Sequence, residues 1–327
     1  MSFKKYPSIM NAYQESLINR ILFKFPEVKT ARYIATEKID GANFGVVFHP
    51  DGSTEFQKRN STIDENASFF NFLGALDNTP NYEQFYEYMK TWSFGHNKSY
   101  IAYAELFGKG VQKRIFYGNE KRVRFYEIYN VDDGDFMSPS FVNNIFKRFD
   151  IGVPIIGYAD GLEAALEMNH IFVSKLTPED YALKDTNFAE GIVIQTHDTL
   201  VPYHPDFSRF IIKKKHPKFN EGNDKPQKQR MKMDEESKAL SLAFESYINA
   251  NRLASAISKI GELYEMKQIG VFMKEIMNDA MIDFKVDYAD ELEKYLETHD
   301  KEKSKRLYKN GANIAITVIK AYLTGEK

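Results

Sequence analysis

The chain has 327 residues, no cysteine and a formal net charge of −2, which excludes disulfides, thiolate catalysis, cysteine-ligated zinc and a uniformly basic nucleic-acid binder. Any site for a polyanion must therefore come from local clustering of cations. The length accommodates two domains, the seven histidines are too scattered to suggest a metal cage, and no segment approaches the ~18 apolar residues of a membrane span; a soluble, intracellular (cytoplasmic) protein is expected.

After an amphipathic segment at 10–25, residues 31–37 read as a strand that delivers Lys38 into the short loop Glu37-Lys38-Ile39-Asp40-Gly41-Ala42-Asn43. A lysine so placed, with Gly41 freeing the backbone to approach a phosphate, can attack phosphorus once it loses its proton. Strands at 44–48 and 54–58 around the turn Pro50-Asp51-Gly52 form a hairpin hung on this loop. It ends in Lys58-Arg59, either a solvated basic strand end or two cations returned toward Lys38.

Residues 63–92 are predicted helical and mostly core-forming. The strand at 99–106 ends in Glu105 beside glycines, which suits either a sugar hydroxyl or a buried ion pair. The strand at 122–131 carries Phe125-Tyr126-Glu127-Ile128, where an aromatic face could stack a base or simply fill core. Asp132-Asp133-Gly134-Asp135 is a turn without the glycine offset and closing glutamate of a calcium loop. Helices are expected at 138–149 and 161–168, with a short strand at 153–158 between them.

Two further strands follow, one after Glu190-Gly191 and one at 209–215. In the second, alternation sets Lys213 and Lys215 on one face and Lys214 on the other. This is either a lysine-defended edge or half of a phosphate site. Residues 208–233 hold nine Lys or Arg against two acids, and 217–233 have a linker's composition. Beyond it the pattern turns helical, at 234–259, 269–284, 289–298 and 310–323. The expected division is thus 1–230 and 231–327.

The ordered elements Lys38 loop, Lys58-Arg59, Glu105 to Gly108, Tyr126-Glu127-Ile128, Glu190-Gly191 and Lys213 to Lys215 resemble the covalent nucleotidyltransferases, the superfamily of ligases and capping enzymes. Within it the chain resembles the RNA ligase 2 family of T-even phages and the kinetoplastid editing ligases, through Phe3-Lys4-Lys5-Tyr6, Gly110-Val111-Gln112-Lys113, Tyr117-Gly118, Lys218-Phe219, Asn251-Arg252-Leu253 and Ile257-Ser258-Lys259-Ile260-Gly261. DNA ligases and capping enzymes carry an OB-fold where this chain turns helical. A catalytically silent nucleic-acid-binding relative is the rival from another class.

The resemblance implies an α+β fold: a nucleotidyltransferase domain of antiparallel sheets with flanking helices, followed by a small all-helical C-terminal domain. It implies an ATP-dependent RNA ligase that uses Mg2+, with Lys38 as the nucleophile that takes AMP. Glu37 and Ile39 would frame adenine, with Tyr126 or Phe125 stacking on it. Asn43 would lie at the AMP phosphate, Glu105 would hold the ribose, and Lys213 and Lys215 would contact the α-phosphate. Glu190 would position a magnesium-bound water. Asp40, where the T-even enzyme has histidine, implies a second water-mediated metal contact, while Gln195 replaces a lysine common after the Glu-Gly strand. Arg59 would contact the nucleotide or the RNA 5'-phosphate, and Lys58, Arg59, Lys218, Arg252 and Lys259 would contact RNA, with Lys305 and Arg306 among the helical region's cations. The implied partner is RNA with 5'-phosphate and 3'-hydroxyl ends, as in a nicked duplex; no obligate protein partner is inferred. The setting implied is RNA repair in a phage-infected host cytoplasm.

Overall fold

Eleven strands among the described residues of a computed structural model sort into two mainly antiparallel sheets. The structure describes residues 3–64, 68–198, 209–219, 233–298, 307–308 and 311–325. The strands are β1 (Met10–Asn11), β2 (Arg32–Lys38), β3 (Ala42–Phe48), β4 (Thr54–Lys58), β5 (Ser61–Ile63), β6 (Tyr100–Phe107), β7 (Arg122–Asn130), β8 (Asp135–Phe136), β9 (Ile155–Asp160), β10 (Gly191–Thr196) and β11 (Ile211–Lys215). The five-stranded sheet has the order β1-β11-β10-β2-β9 and the six-stranded sheet β5-β4-β3-β6-β7-β8. The only parallel pairing between these strands is β1 with β11.

The lysine loop is where the chain passes from one sheet to the other: β2 belongs to the first and β3 to the second. The hairpin of β3 and β4 is present as expected. Gly41 begins the crossing because a Cβ there would lie 2.3 Å from the Leu106 carbonyl oxygen and 2.8 Å from Glu105 Cγ. Any side chain would push β3 off β6.

One face of the five-stranded sheet buries Tyr33, Ala35, Ile192, Ile194 and Ile212 against Ile18, Ile21, Leu162 and Ala165 of the helices Glu15–Lys24 and Leu162–Glu167. Burial of this apolar face supplies the main driving force for the layer. On the six-stranded sheet, Phe44, Phe48 and Phe56 pack on Phe72 and Phe85 from the helices Phe72–Asp77 and Tyr82–His96. The stretch 63–92, expected to be helical, forms two helices preceded by β5; Asn81, with positive φ, lies at the break between them. The opposite face carries Tyr6, Val47, Ile101, Tyr103, Tyr129 and Phe136.

The chain divides into two compact units, Met1–Lys218 and Phe219–Lys327. A boundary near 230 falls within 220–232, outside the described residues, as do Lys225, Lys228, Arg230 and Lys232 of the basic run and Lys305 and Arg306.

The second unit is helical among its described residues from Met233–Ser246 onward, continuing with Ala250–Ile260, Ile269–Asp287, Ala289–Thr298 and Gly311–Thr324. The one helix expected over 234–259 is interrupted at 247–249, where the Asn249 side chain caps the next helix by accepting from the Arg252 amide at 3.1 Å. Phe272, Ile276, Ala280 and Phe284 recur every four residues and are fully buried, which is the apolar stripe of a core helix. Gly311 admits the last helix: a Cβ would meet Ile248 Cδ1 at 2.7 Å and Phe244 Cε1 at 2.8 Å. No helix among the described residues is long and apolar enough to cross a membrane.

Candidate active site

Strand register assembles the centre of the site. Lys38 pairs with Gly191 across β2 and β10, and Gly191 pairs with Lys215 across β10 and β11. Three adjacent strands therefore end in one row, and Glu190 precedes the middle one. Its carboxylate accepts from Lys38 Nζ at 2.6 Å through Oε2, and Lys215 Nζ lies 3.1 Å from Oε1. Gly191 adopts φ +147°, and a Cβ would lie 2.0 Å from the Lys214 carbonyl oxygen, so only glycine fits behind Glu190.

Burial alone would raise the Glu190 carboxyl, but Lys38, Lys215 and Arg114 outweigh it and hold the group well below the usual carboxylate range. The cluster is a carboxylate fixed between two lysines on a buried strand end. It presents amines at a point where three strands converge.

The expected facing of 213–215 holds. Lys213 pairs with Val193 and shares the face of Lys215 and Lys38. Lys214 points the other way and donates to the carbonyls of Leu166 and Met168. Gln195 is buried on the same strand as Val193.

The six-stranded sheet contributes Asn43, opposite Glu105, and Tyr126. The ladder between β6 and β7 slips between Tyr103 and Ala104, so that Phe125 pairs with Ala104 and Glu127 with Tyr103 while Tyr126 is skipped. This irregularity turns Tyr126 toward Asn43, whose Nδ2 donates to the Tyr126 hydroxyl. Phe125 faces the helices, fully buried against Phe85 and Phe146. The alternative that Phe125 stacks on a base is corrected: its ring is inside the core.

Glu105 lies within electrostatic range of Lys38, Glu190, Asp40 and Arg59, and burial pushes its carboxyl up to about 8. Glu37 is also buried, and that raises its carboxyl to about 7 even though it accepts from the Ser174 hydroxyl at 2.5 Å and the Lys175 amide at 2.8 Å. Ile39 is buried within the Lys38 loop. Both raised carboxyls bind their proton more tightly folded than unfolded. The stability they contribute is fully present below their ordinary value of 4.5 and is lost as pH rises through about 7 and 8. The melting temperature should therefore fall between pH 6 and pH 9, and Glu105→Gln should flatten that fall. A melting temperature that rises over this range in the native protein would contradict the assignment. Glu190 acts in the opposite direction, with stability lost only as pH falls through its depressed value.

Arg59 donates to Ser8 Oγ at 3.3 Å, and its buried Nε finds no hydrogen-bond partner among the described residues. Lys58, by alternation with Phe56, lies over the Phe69 ring at 5.4 Å. Lys218 is exposed just after β11. Asp40 has a different partner from the one expected. Both of its oxygens are engaged by the Arg114 guanidinium, with Nε 3.0 Å from Oδ2, and the residue is buried. A metal-bound water at Asp40 would have to compete with that ion pair.

Among the described residues no group of three or more histidines and acids could hold a metal ion directly. The carboxylates of Glu105, Glu190 and Asp40 lie within electrostatic range of one another. With Glu190 and Asp40 already paired to cations, they would act on a hard cation only through its waters and in competition with those pairs.

Two candidate RNA contacts are also corrected. Arg252 is 2% exposed; it donates to Asp283 at 2.7 Å and to the Tyr247 carbonyl at 3.3 Å. Lys259 pairs with Asp279 and, at 3.4 Å, with Glu275. Both cations are committed inside the helical unit, because the acids facing them come from the helix Ile269–Asp287. Arg252→Ala should cost about 2 to 4 kcal/mol of stability by leaving buried polar groups unpaired. It should leave the salt dependence of RNA binding unchanged, whereas a lost phosphate contact would lower that slope by about one. Thermal melts and binding at several salt concentrations separate the two.

Sequence reading gave no role to Arg114, Tyr117, Ser174 or Arg209. Arg209, counted only in a basic run, forms a buried bidentate pair with Glu127 and lies over Phe136, while the Tyr6 hydroxyl donates to Glu127 at 2.6 Å. The N-terminal segment is fastened across this face. The Lys4 carbonyl accepts from Tyr103 at 2.9 Å and Gln57 at 3.2 Å, and the Tyr6 ring meets Tyr126 edge-on at 5.2 Å. The only available signal was the Phe3-Lys4-Lys5-Tyr6 match.

Residues 31–215 match the family model described as RNA ligase, and residues 231–312 match that described as T4 RNA ligase 2 C-terminal. Solved structures of a Naegleria gruberi RNA ligase are similar at low identity. A lysine-to-alanine mutant with ATP and Mn is 18% identical with a TM-score of 0.49, over 67% of this chain and 58% of that one. A lysine-to-methionine mutant with AMP and Mn is 18% identical with a TM-score of 0.47, over 66% and 57%. The chain spans a little over half the length of these proteins.

Proposed function

Because this chain belongs to the RNA ligase family, in the T4 RNA ligase 2 group, we propose that it is an ATP-dependent RNA ligase joining 3'-hydroxyl and 5'-phosphate ends, with nicks in duplex RNA as its substrate. The observation that carries this reading is the Lys38–Glu190–Lys215 row. An amine is held at a strand crossing beside a second cation, where an α-phosphate would need both.

Lys38 Nζ, freed from Glu190 and having lost its proton, attacks the α-phosphorus of ATP. The N–P bond forms, the bond to the bridging oxygen breaks, and pyrophosphate leaves. AMP then passes from the lysine to an RNA 5'-phosphate, and a neighbouring 3'-hydroxyl displaces AMP as the phosphodiester forms. Lys213 and Lys215 stabilise charge on the phosphoryl oxygens. Tyr126 stacks on adenine, and Glu105 accepts or donates a hydrogen bond at the ribose. A bound magnesium ion would supply further charge neutralisation at the phosphates, with Glu190 holding one of its waters. Arg59, Lys58 and Lys218 face RNA, and residues 231–327 help to grip the nick.

A labelled-nucleotide adduct on a denaturing gel tests the class. An adduct with ATP supports the ligase, an adduct with GTP indicates a capping-type enzyme, and none indicates a silent binding relative. Sealing of matched nicked duplex RNA, single-stranded RNA and nicked duplex DNA then tests the substrate.

A further inference from the structure

The segment Val111 to Gly118 has no regular secondary structure, yet it is bonded both to the loop just after Lys38 and to the stretch just before Glu190. On one side it holds the lysine loop twice: the Arg114 guanidinium forks onto the Asp40 carboxylate, and the Asp40 amide donates to the Tyr117 hydroxyl at 2.9 Å. On the other side Phe116 is clasped by Asn187 through its whole peptide edge. The Phe116 amide donates to Asn187 Oδ1 at 2.9 Å, and Asn187 Nδ2 donates to the Phe116 carbonyl at 2.8 Å. Asn187 stands three residues before Glu190, and its Nδ2 also donates to Thr177 Oγ1 at 2.8 Å. The bond from Lys38 Nζ to Glu190 closes the circuit. Asp40, Tyr117 and Asn187 are all buried.

A loop with no ladder of its own takes its position from side-chain bonds such as these. Here they span residues 74, 77 and 71 apart in the chain. The lysine loop and the Glu190 strand are also paired through Lys38 and Gly191, but that pairing sets strand register. It leaves the path of the chain beyond Lys38 to be set by Asp40.

We propose that Arg114, Tyr117 and Asn187 form a clamp of positioning residues for the first transfer, fixing the loop that carries Lys38 against the strand that carries Glu190. The proposal rests on the ligase reading above. In this role the clamp acts through the loop, setting where the Lys38 amine stands when the α-phosphate arrives. Misplacement of a reacting group by about 1 Å costs on the order of 10²-fold in rate. Arg114→Ala should therefore slow lysyl-AMP formation at saturating ATP by about 30- to 100-fold. Arg114→Lys, which keeps the charge but loses the fork, should recover part of that loss. Asn187→Ala should slow it by about 10-fold. Combining Arg114→Ala with Asn187→Ala should give less than the product of the two effects, because both release the same loop.

The deciding measurement is single-turnover adduct formation across ATP concentrations, set beside sealing of RNA that already carries AMP on its 5'-phosphate. That second reaction does not use the lysine. A clamp lowers the maximal adduct rate and leaves pre-activated sealing within about threefold of native. Equal loss in both reactions, or adduct formation at the native rate in Arg114→Ala, overturns the clamp. If the native protein forms no adduct with ATP, it is the ligase reading that fails, and the clamp falls with it.

Discussion

Lys38→Ala is expected to abolish the covalent AMP adduct while RNA already adenylylated at its 5'-phosphate is still sealed. In the proposed mechanism the lysine takes AMP from ATP and hands it on, and in the last displacement it forms no bond. Its removal also leaves Glu190 paired with Lys215 at 3.1 Å, so the buried carboxylate keeps a counter-charge and the fold should lose little. Lys38→Arg provides the sharper comparison. A guanidinium can retain the ion pair with Glu190 but is not a usable nucleophile at phosphorus, so the adduct should be absent although the cluster is intact. Denaturing gels with labelled ATP and a sealing assay on the pre-activated strand measure both halves. Loss of pre-activated sealing equal to loss of the adduct would show that Lys38 serves the fold or another step.

The second large effect separates three consecutive lysines. Lys213→Ala and Lys215→Ala should each lower adduct formation by about 10²- to 10³-fold, the range found when one preorganised donor to a developing oxyanion is removed. Lys214→Ala should cost less than about threefold. Its amine faces the opposite side of the sheet and is spent on the carbonyls of Leu166 and Met168, so its loss should register as about 1 kcal/mol of stability. The rate of adduct formation and a thermal melt on each of the three variants decide the matter. A severe Lys214 defect beside a mild Lys213 defect would mean that the face of β11 toward the nucleotide is the other one.

What could be read from the residues alone was local and periodic. Alternation along 213–215 placed Lys214 opposite its neighbours, and the pairing with Val193 and Ile192 agrees with it. Gly41 reads in sequence as a backbone free to approach a phosphate; the close packing at Gly41 and Gly191, where a Cβ would come within 2.3 Å of a carbonyl oxygen, is visible only in the fold. The change from strand to helix patterning beyond the basic run is seen in the fold, with one helix break at Asn249 that its capping preference could have signalled.

What only the tertiary structure decided was partnership across long separations. Nothing near Asp40 in the chain indicates that its carboxylate is taken by Arg114, 74 residues away, and nothing near Glu127 indicates Arg209 at a separation of 82. Arg252 and Lys259 look in sequence like any exposed helical cations; acids on a neighbouring helix turn them inward. The choice between Phe125 and Tyr126 hung on a slip in one ladder. Periodicity fixes which face of its own strand or helix a residue occupies, because backbone geometry repeats. Which charge stands opposite depends on how separate elements pack, and the chain between them carries no repeat that encodes it.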